Sequence, residues 1–132
     1  WTLPSMERIA PVYAIMPVAS LMMQGDEGAG DRLEGYVRRL LKFDEPIPAI
    51  AIDTTLKGLT RAEKWSVARQ FTDRIIDEEP TSVQRLLYRV RLERDAGNRP
   101  GALDAARAAL ALDPENEEAL KAIDELASLK DR

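Results

Sequence analysis

GNRPGALDAARAALALDP, residues 97–114, decides the fold. Its first four residues break the chain between two helices. Gly97 suits the left-handed position just past a helix end. Pro100 suits the first turn of the next helix, where its missing N–H costs nothing. That helix, over about 100–112, carries Leu103, Ala106 and Leu110 at helical spacing, with the small Ala102 and Ala109 beside them. Asp113-Pro114 stops it and opens another.

The same pattern occurs earlier in the chain. Ala68, Ile75, Ile76 and Pro80 are echoed by Ala102, Ala109, Leu110 and Pro114, each at an offset of 34 (102 − 68, 114 − 80). A fixed offset of this size marks a helical repeat array. The competing explanation is an ordinary helical bundle, since helix-rich chains show accidental periodicity.

Working outward, the last helix covers about 114–129, with Leu120, Ile123, Leu126 and Ala127. Upstream, 81–96 carries Leu86, Leu87, Val90 and Leu92, and Thr81 with Gln84 fits a capping box. Thr60 with Glu63 fits another, opening a helix at 62–78 with Trp65, Ala68, Phe71, Ile75 and Ile76. Before it, 48–59 offers Ile52, Leu56 and Leu59, and 29–43 offers Leu33, Val37, Leu40 and Leu41. The one strand-like run, 47–52, has prolines at 46 and 48 and is not a convincing strand. Short loops favour antiparallel neighbours. The expected core is Trp65, Phe71, Ile75, Ile76, Leu86, Val90, Leu103, Ala106, Leu110, Leu120 and Ile123.

The run Gly97-x4-Ala102-x3-Ala106-x2-Ala109-Leu110-x3-Pro114 resembles the tetratricopeptide repeat (TPR), a helix–turn–helix unit of about 34 residues. The match is good for the second helix of the unit. It is poorer for the first, where Arg89-Val90 stands for the family's Leu-Gly pair and Glu93 for its Tyr. The preceding unit, 49–82, keeps the small and apolar positions but has Thr72 where the family prefers an aromatic. A third unit, 14–47, fits with one extra residue: Leu33, Val37, Leu40 and Leu41 precede Ala68, Thr72, Ile75 and Ile76 by 35 (68 − 33). The resemblance implies an all-α fold. It would be a single domain over 1–132, with antiparallel helix pairs stacked as a short right-handed superhelix. Residues 1–47 would be diverged N-terminal helices, 49–82 and 83–116 repeats, and 117–130 a capping helix.

It also implies that the first helix of each unit lines a groove. Carried over by register, the groove positions are Asp53, Lys57 and Arg61, then Gln84, Leu87, Arg91 and Arg94, then Lys121 and Glu125. The middle of that groove is basic and would suit an acidic partner. The plainer alternative is a solvated helix face. The Lys/Asn/Arg set with which chaperone-binding members clamp a C-terminal carboxylate is not reproduced, Asp53 and Thr54 standing at matching positions.

Composition narrows the chemistry. The 132 residues are 45% hydrophobic and 32% charged, enough for one domain with a core. A net charge of −4 argues against nucleic-acid binding, which depends on clustered Lys and Arg. With 0 Cys and 0 His there is no thiolate nucleophile, imidazole base or usual zinc ligand set. Asp44-Glu45 and Asp77-Glu78-Glu79 read as solubilising helix ends rather than an acid/base pair. No catalytic or metal motif is present in the sequence, and no cofactor is expected.

Residues 9–25 carry no charge. They fall short of a spanning length of about 20 residues and contain Pro11 and Pro17. Two short buried helices broken at Pro17 are expected. The alternatives are a remnant membrane or interfacial segment, or an apolar interface around Val12, Met16, Leu21 and Met22, because array ends normally carry a polar face. At the far end, Glu117, Glu118, Asp124, Glu125, Lys130 and Arg132 suit a polar cap. A start at Trp1 is expected of a fragment or processed product, and the richness in Ala and Arg of a bacterial protein.

These features predict a non-enzymatic interaction or scaffolding module in the cytoplasm or periplasm. Its partner would be a protein or peptide, not nucleic acid. The alternative is an accessory tail of a larger, membrane-associated bacterial protein. Such a tail would pack through its apolar end on a parent domain or a second copy, and reach a membrane only through flanking sequence.

Overall fold

A computed structural model describes residues 28–128. Among them there are six helices and no strand: α1 (Ala29–Leu40), α2 (Ala49–Arg61), α3 (Trp65–Glu78), α4 (Val83–Asp95), α5 (Arg99–Leu112) and α6 (Glu117–Ser128). The all-α expectation holds. Two compact units divide the chain, Trp1–Phe71 and Thr72–Arg132, the division falling within α3. The residues expected to form the N-terminal helices broken at Pro17 lie outside the described residues.

In the first unit α1 packs against α2. Leu33, Val37 and Leu40 form the buried stripe of α1, and Ala51, Ile52, Leu56 and Leu59 that of α2. The start of α3 adds Val67, Ala68 and Phe71 to the buried set. Prolines 46 and 48 keep 47–48 out of the helix, and Ile47 and Ile52 are both buried at the two positions of a hydrophobic staple around the Pro48 N-cap. Lys64 Nζ reaches Asp31 at 2.7 Å and Glu34 at 3.8 Å, tying the α2–α3 turn to α1.

In the second unit α4 packs against α5, α5 against α6, and α4 also touches α6. The core is formed by Leu87, Val90, Ala102, Ala105, Ala106, Ala109, Ala119, Ala122 and Leu126. Leu86, Leu103, Leu110 and Ile123 pack on it half-buried. Of the remaining expected core residues, Phe71, Ile75, Val90 and Ala106 are buried, and Trp65 and Ile76 half-buried. Leu120 is a correction: it is 48% exposed. The helices that touch α6 are α4 and α5, and among the described residues none follows to cover its far side.

Helix ends repeat with the sequence. An offset of 34 relates α2 to α4 at both ends (83 − 49, 95 − 61), α3 to α5 at both ends (99 − 65, 112 − 78), and the start of α4 to that of α6 (117 − 83). The hydrogen bonds that end the helices repeat too. Lys64 N donates to the Leu59 carbonyl at 2.9 Å and Glu63 N to that of Thr60 at 3.0 Å. Asn98 N donates to Glu93 at 2.8 Å and Gly97 N to Arg94 at 3.1 Å, the same pair of bonds 34 positions on (98 − 64). Both sets form a Schellman motif, whose C′ residue is left-handed: Glu63 has φ 58° and Gly97 φ 79°. Burial follows the same register. Leu33, Val37 and Leu40 in α1, Ala68, Thr72 and Ile75 in α3, and Ala102, Ala106 and Ala109 in α5 are all buried.

Two expected capping boxes are corrected. Thr60 lies inside α2 and Glu63 in the left-handed turn after it, so neither caps α3. The N-cap of α4 is Ser82, not Thr81; its hydroxyl accepts from Arg85 N at 3.3 Å. Asn116 does the same for Ala119 N at 2.9 Å, so α6 starts at Glu117 rather than at Pro114. Asn98 caps α5, accepting from Gly101 N at 3.2 Å. A Cβ on Gly101 would lie 2.5 Å from the Asn98 Nδ2, so a larger residue there would push the capping amide aside.

Arg85 is, with Glu93, one of two charged residues buried among the described residues. It stands in register with the buried Ala51 and Ala119 (85 − 51, 119 − 85), yet is itself only 9% exposed. Its Nη1 donates to the Ile75 carbonyl at 2.7 Å and to Glu78 Oε1 at 3.3 Å, and its Nε lies 3.5 Å from Glu79 Oε2. It thus satisfies a last-turn carbonyl of α3 and meets the negative end of that helix with a positive charge.

Arg85→Ala leaves the Ile75 carbonyl unpaired and takes one of two arginines from Glu78, which keeps Arg74 at 3.2 Å, and is expected to cost about 1–3 kcal/mol of unfolding free energy in urea titration. At the two turns, Gly97→Ala forces a side chain into the left-handed region and should cost about 1 kcal/mol. Glu63→Gly relieves that strain and should leave stability unchanged or raise it by up to about 1 kcal/mol. A loss on Glu63→Gly as large as on Gly97→Ala would contradict the shared turn geometry.

Candidate functional site

The basic positions read from the sequence fall into the two units. In the first, Asp53 and Lys57 pair with each other one helical turn apart at 2.9 Å, both well exposed, and Arg61 is exposed at the end of α2. Such i,i+4 pairs on a wet face contribute only about 0.3–0.5 kcal/mol. They solvate α2 and leave little net charge at that spot.

In the second unit the geometry is more definite. Arg91 on α4 grips Glu118 on α6 through both prongs of its guanidinium: Nε to Oε2 and Nη2 to Oε1, each 2.6 Å. Each side chain is 37% exposed. The guanidinium also lies over the Tyr88 ring, 5.3 Å from its centroid. This two-pronged geometry is specific to Arg, and such charge-assisted bonds are about twice as strong as neutral ones. The Arg91 hydrogen bonds hold the Glu118 carboxyl below its usual range; partial burial opposes this, and the charges of Arg91 and Arg94 reinforce it. Arg94 is exposed less than a turn further along α4, so two cations act on one carboxylate. Gln84 is exposed at the start of α4, and Lys121 lies 3.9 Å from Glu125 on α6.

Leu87 is a correction. Carried over by register as a groove position, it is 2% exposed and belongs to the core with Ala119 and Ala122. Small residues on α6 let that helix come close to α4 and cover it. What the sequence reading missed is Glu118, assigned there to a solubilising cap. A separation of 27 residues leaves no local signal for the pair (118 − 91). Glu118 does stand one register step from Gln84 (118 − 84), a position already read as groove-facing. The apolar interface residues Val12, Met16, Leu21 and Met22 lie outside the described residues.

Among the described residues no group of carboxylates could hold a metal ion, and no helix is long and apolar enough to cross a membrane.

The lowered Glu118 pKa fixes a sign. A carboxyl whose folded value is depressed contributes stability above its ordinary value, here 4.5, and loses it as pH falls through the folded value. Stability to thermal unfolding is therefore expected to fall on acidification below pH 4.5, and to fall less steeply in Glu118→Gln. Equal slopes in the two proteins would show that the pair contributes nothing to acid sensitivity.

No protein-family model matches this chain, and no curated protein is significantly similar to it in sequence.

Proposed function

We propose that this chain is a TPR-like helical-repeat module that binds a protein or peptide partner and has no catalytic activity of its own. The observation that carries the reading is the 34-residue recurrence of helix bounds, left-handed turns and terminal hydrogen bonds from α2 to α6. A repeat reproduced at that level is built for stacking. On this reading α2, α4 and α6 are the inner helices of antiparallel pairs in a short right-handed superhelix. The helices α3 and α5 are its outer wall, α1 is the outer helix of a diverged first unit, and α6 is the cap. The cluster of Arg91 and Arg94 then lies on the inner face and favours an acidic segment. Its attraction would speed encounter and fade with salt.

The test is binding of a labelled peptide carrying a run of glutamates, measured by fluorescence anisotropy. Affinity is expected at low salt, to fall as salt is added, and to disappear in Arg91→Glu with Arg94→Glu. An affinity no greater than that for the matching glutamine peptide refutes the acidic-partner reading. The uncharged run 9–25 favours a second reading, an accessory tail of a larger bacterial protein that packs through its apolar end. Met16→Glu with Met22→Glu should then disrupt association with a parent domain or second copy, while the arginine reversals leave it intact.

A further inference from the structure

We infer that Glu118 holds the place of a partner carboxylate on Arg91, so that an acidic segment gains this arginine only by displacing Glu118. The inference rests on the proposal that the α4–α6 face binds an acidic partner, and it adds a built-in competitor to that site.

Three features on α4 and α6 carry it. The first is geometry. Both carboxylate oxygens of Glu118 are taken by Arg91, at 2.6 Å each, which is how a guanidinium receives an external carboxylate. The second is exposure. At 37% for each side chain the pair is open to solvent and to exchange, unlike the buried Arg85. The third is charge. Arg94 also acts on Glu118, so two cations bear on that one carboxylate. An incoming carboxylate can therefore meet Arg94 first and take Arg91 second. Tyr88, stacked on the Arg91 guanidinium, keeps that group on the α4 face during the exchange.

Displacement also touches α6. Glu118 lies in the first turn of that helix, where negative charge is favourable, and Ala119 beside it is buried. Releasing Glu118 removes its two hydrogen bonds to Arg91 but leaves the apolar contacts of Ala119, Ala122 and Leu126 in place. The exchange is thus local and does not require α6 to detach.

The experiment compares the glutamate-run peptide on the whole chain and three variants, with circular dichroism to check helix content. Glu118→Gln removes the competing carboxylate from Arg91 and is expected to bind about 3- to 5-fold tighter than the unaltered chain, the range an exposed ion pair can supply. Glu117→Gln makes the same charge change on the neighbouring exposed residue and is expected to leave affinity near that of the unaltered chain. Glu118→Asp keeps the first-turn charge but shortens the reach by a methylene. It should fall between the two, and it stands in if Glu118→Gln loses helix content. Equal binding by the unaltered chain and Glu118→Gln overturns the competitor and leaves the binding face intact. A gain in Glu117→Gln as large as in Glu118→Gln assigns the effect to net charge and also overturns it. Absence of binding in every protein overturns the acidic-partner reading itself.

Discussion

The second unit depends on the closeness with which α4 and α6 approach α5. That closeness is set by what α5 lacks: Ala102, Ala105, Ala106 and Ala109 are its buried residues, and none extends beyond a methyl group. Burying a methyl contributes only about 0.8 kcal/mol, far less than a leucine. The stripe therefore does not hold the unit together by its own transfer free energy. It works by letting larger neighbours reach across. Leu87 and Val90 of α4 and Leu126 of α6 fill the space the alanines leave open, and their burial supplies most of the apolar gain. Alanine is also the best helix former, so the residue that permits close packing stabilises α5 without help from its neighbours.

Close packing leaves no room for a charge that cannot find a partner, and three of the four arginines of α4 show different answers. Arg85 is buried and bonded to a helix-end carbonyl and two glutamates. Arg91 is half-exposed and clamped to Glu118. Arg94 is exposed to water. The first is structural: removing it leaves buried groups unsatisfied. The last has no such constraint. Arg91 lies between them: its hydrogen bonds hold the Glu118 carboxyl below its usual range, yet the pair stays open to solvent.

Much of this fold was legible in the sequence because its punctuation uses residues with one job. Gly97 marks a left-handed turn and Pro100 a first turn, and both stand where their chemistry requires. The same turn at Glu63 was not legible, because glutamate gives no sign of a positive φ and invites a capping-box reading instead. Only its distance of 34 residues from Gly97 betrays it. Burial was read well where side chains are apolar and flanked on both sides, as at Ile75 and Val90. It was misread at Leu120, because periodicity defines an apolar face but not whether another helix will cover it. The basic site was half legible. Arg91 and Arg94 were placed from register, whereas the carboxylate that pairs with Arg91 lies a helix pair away, and such a partner is specified by packing rather than by spacing.

The register also explains why the charged cluster lies where it does. Ile50, Gln84 and Glu118 occupy equivalent positions one step apart on α2, α4 and α6 (84 − 50, 118 − 84). None of the three is buried, and Ile50 is 79% exposed. Packing does not dictate the residue at this position, so its chemistry can vary from helix to helix without cost to the core. The position that follows it in each helix behaves oppositely: Ala51, Arg85 and Ala119 are all buried. One face of each helix is thus fixed by its neighbours while the adjacent row is left open to carry chemistry. Glu118, which reaches from this open position to Arg91, shows how a single residue there sets the charge of the α4–α6 face.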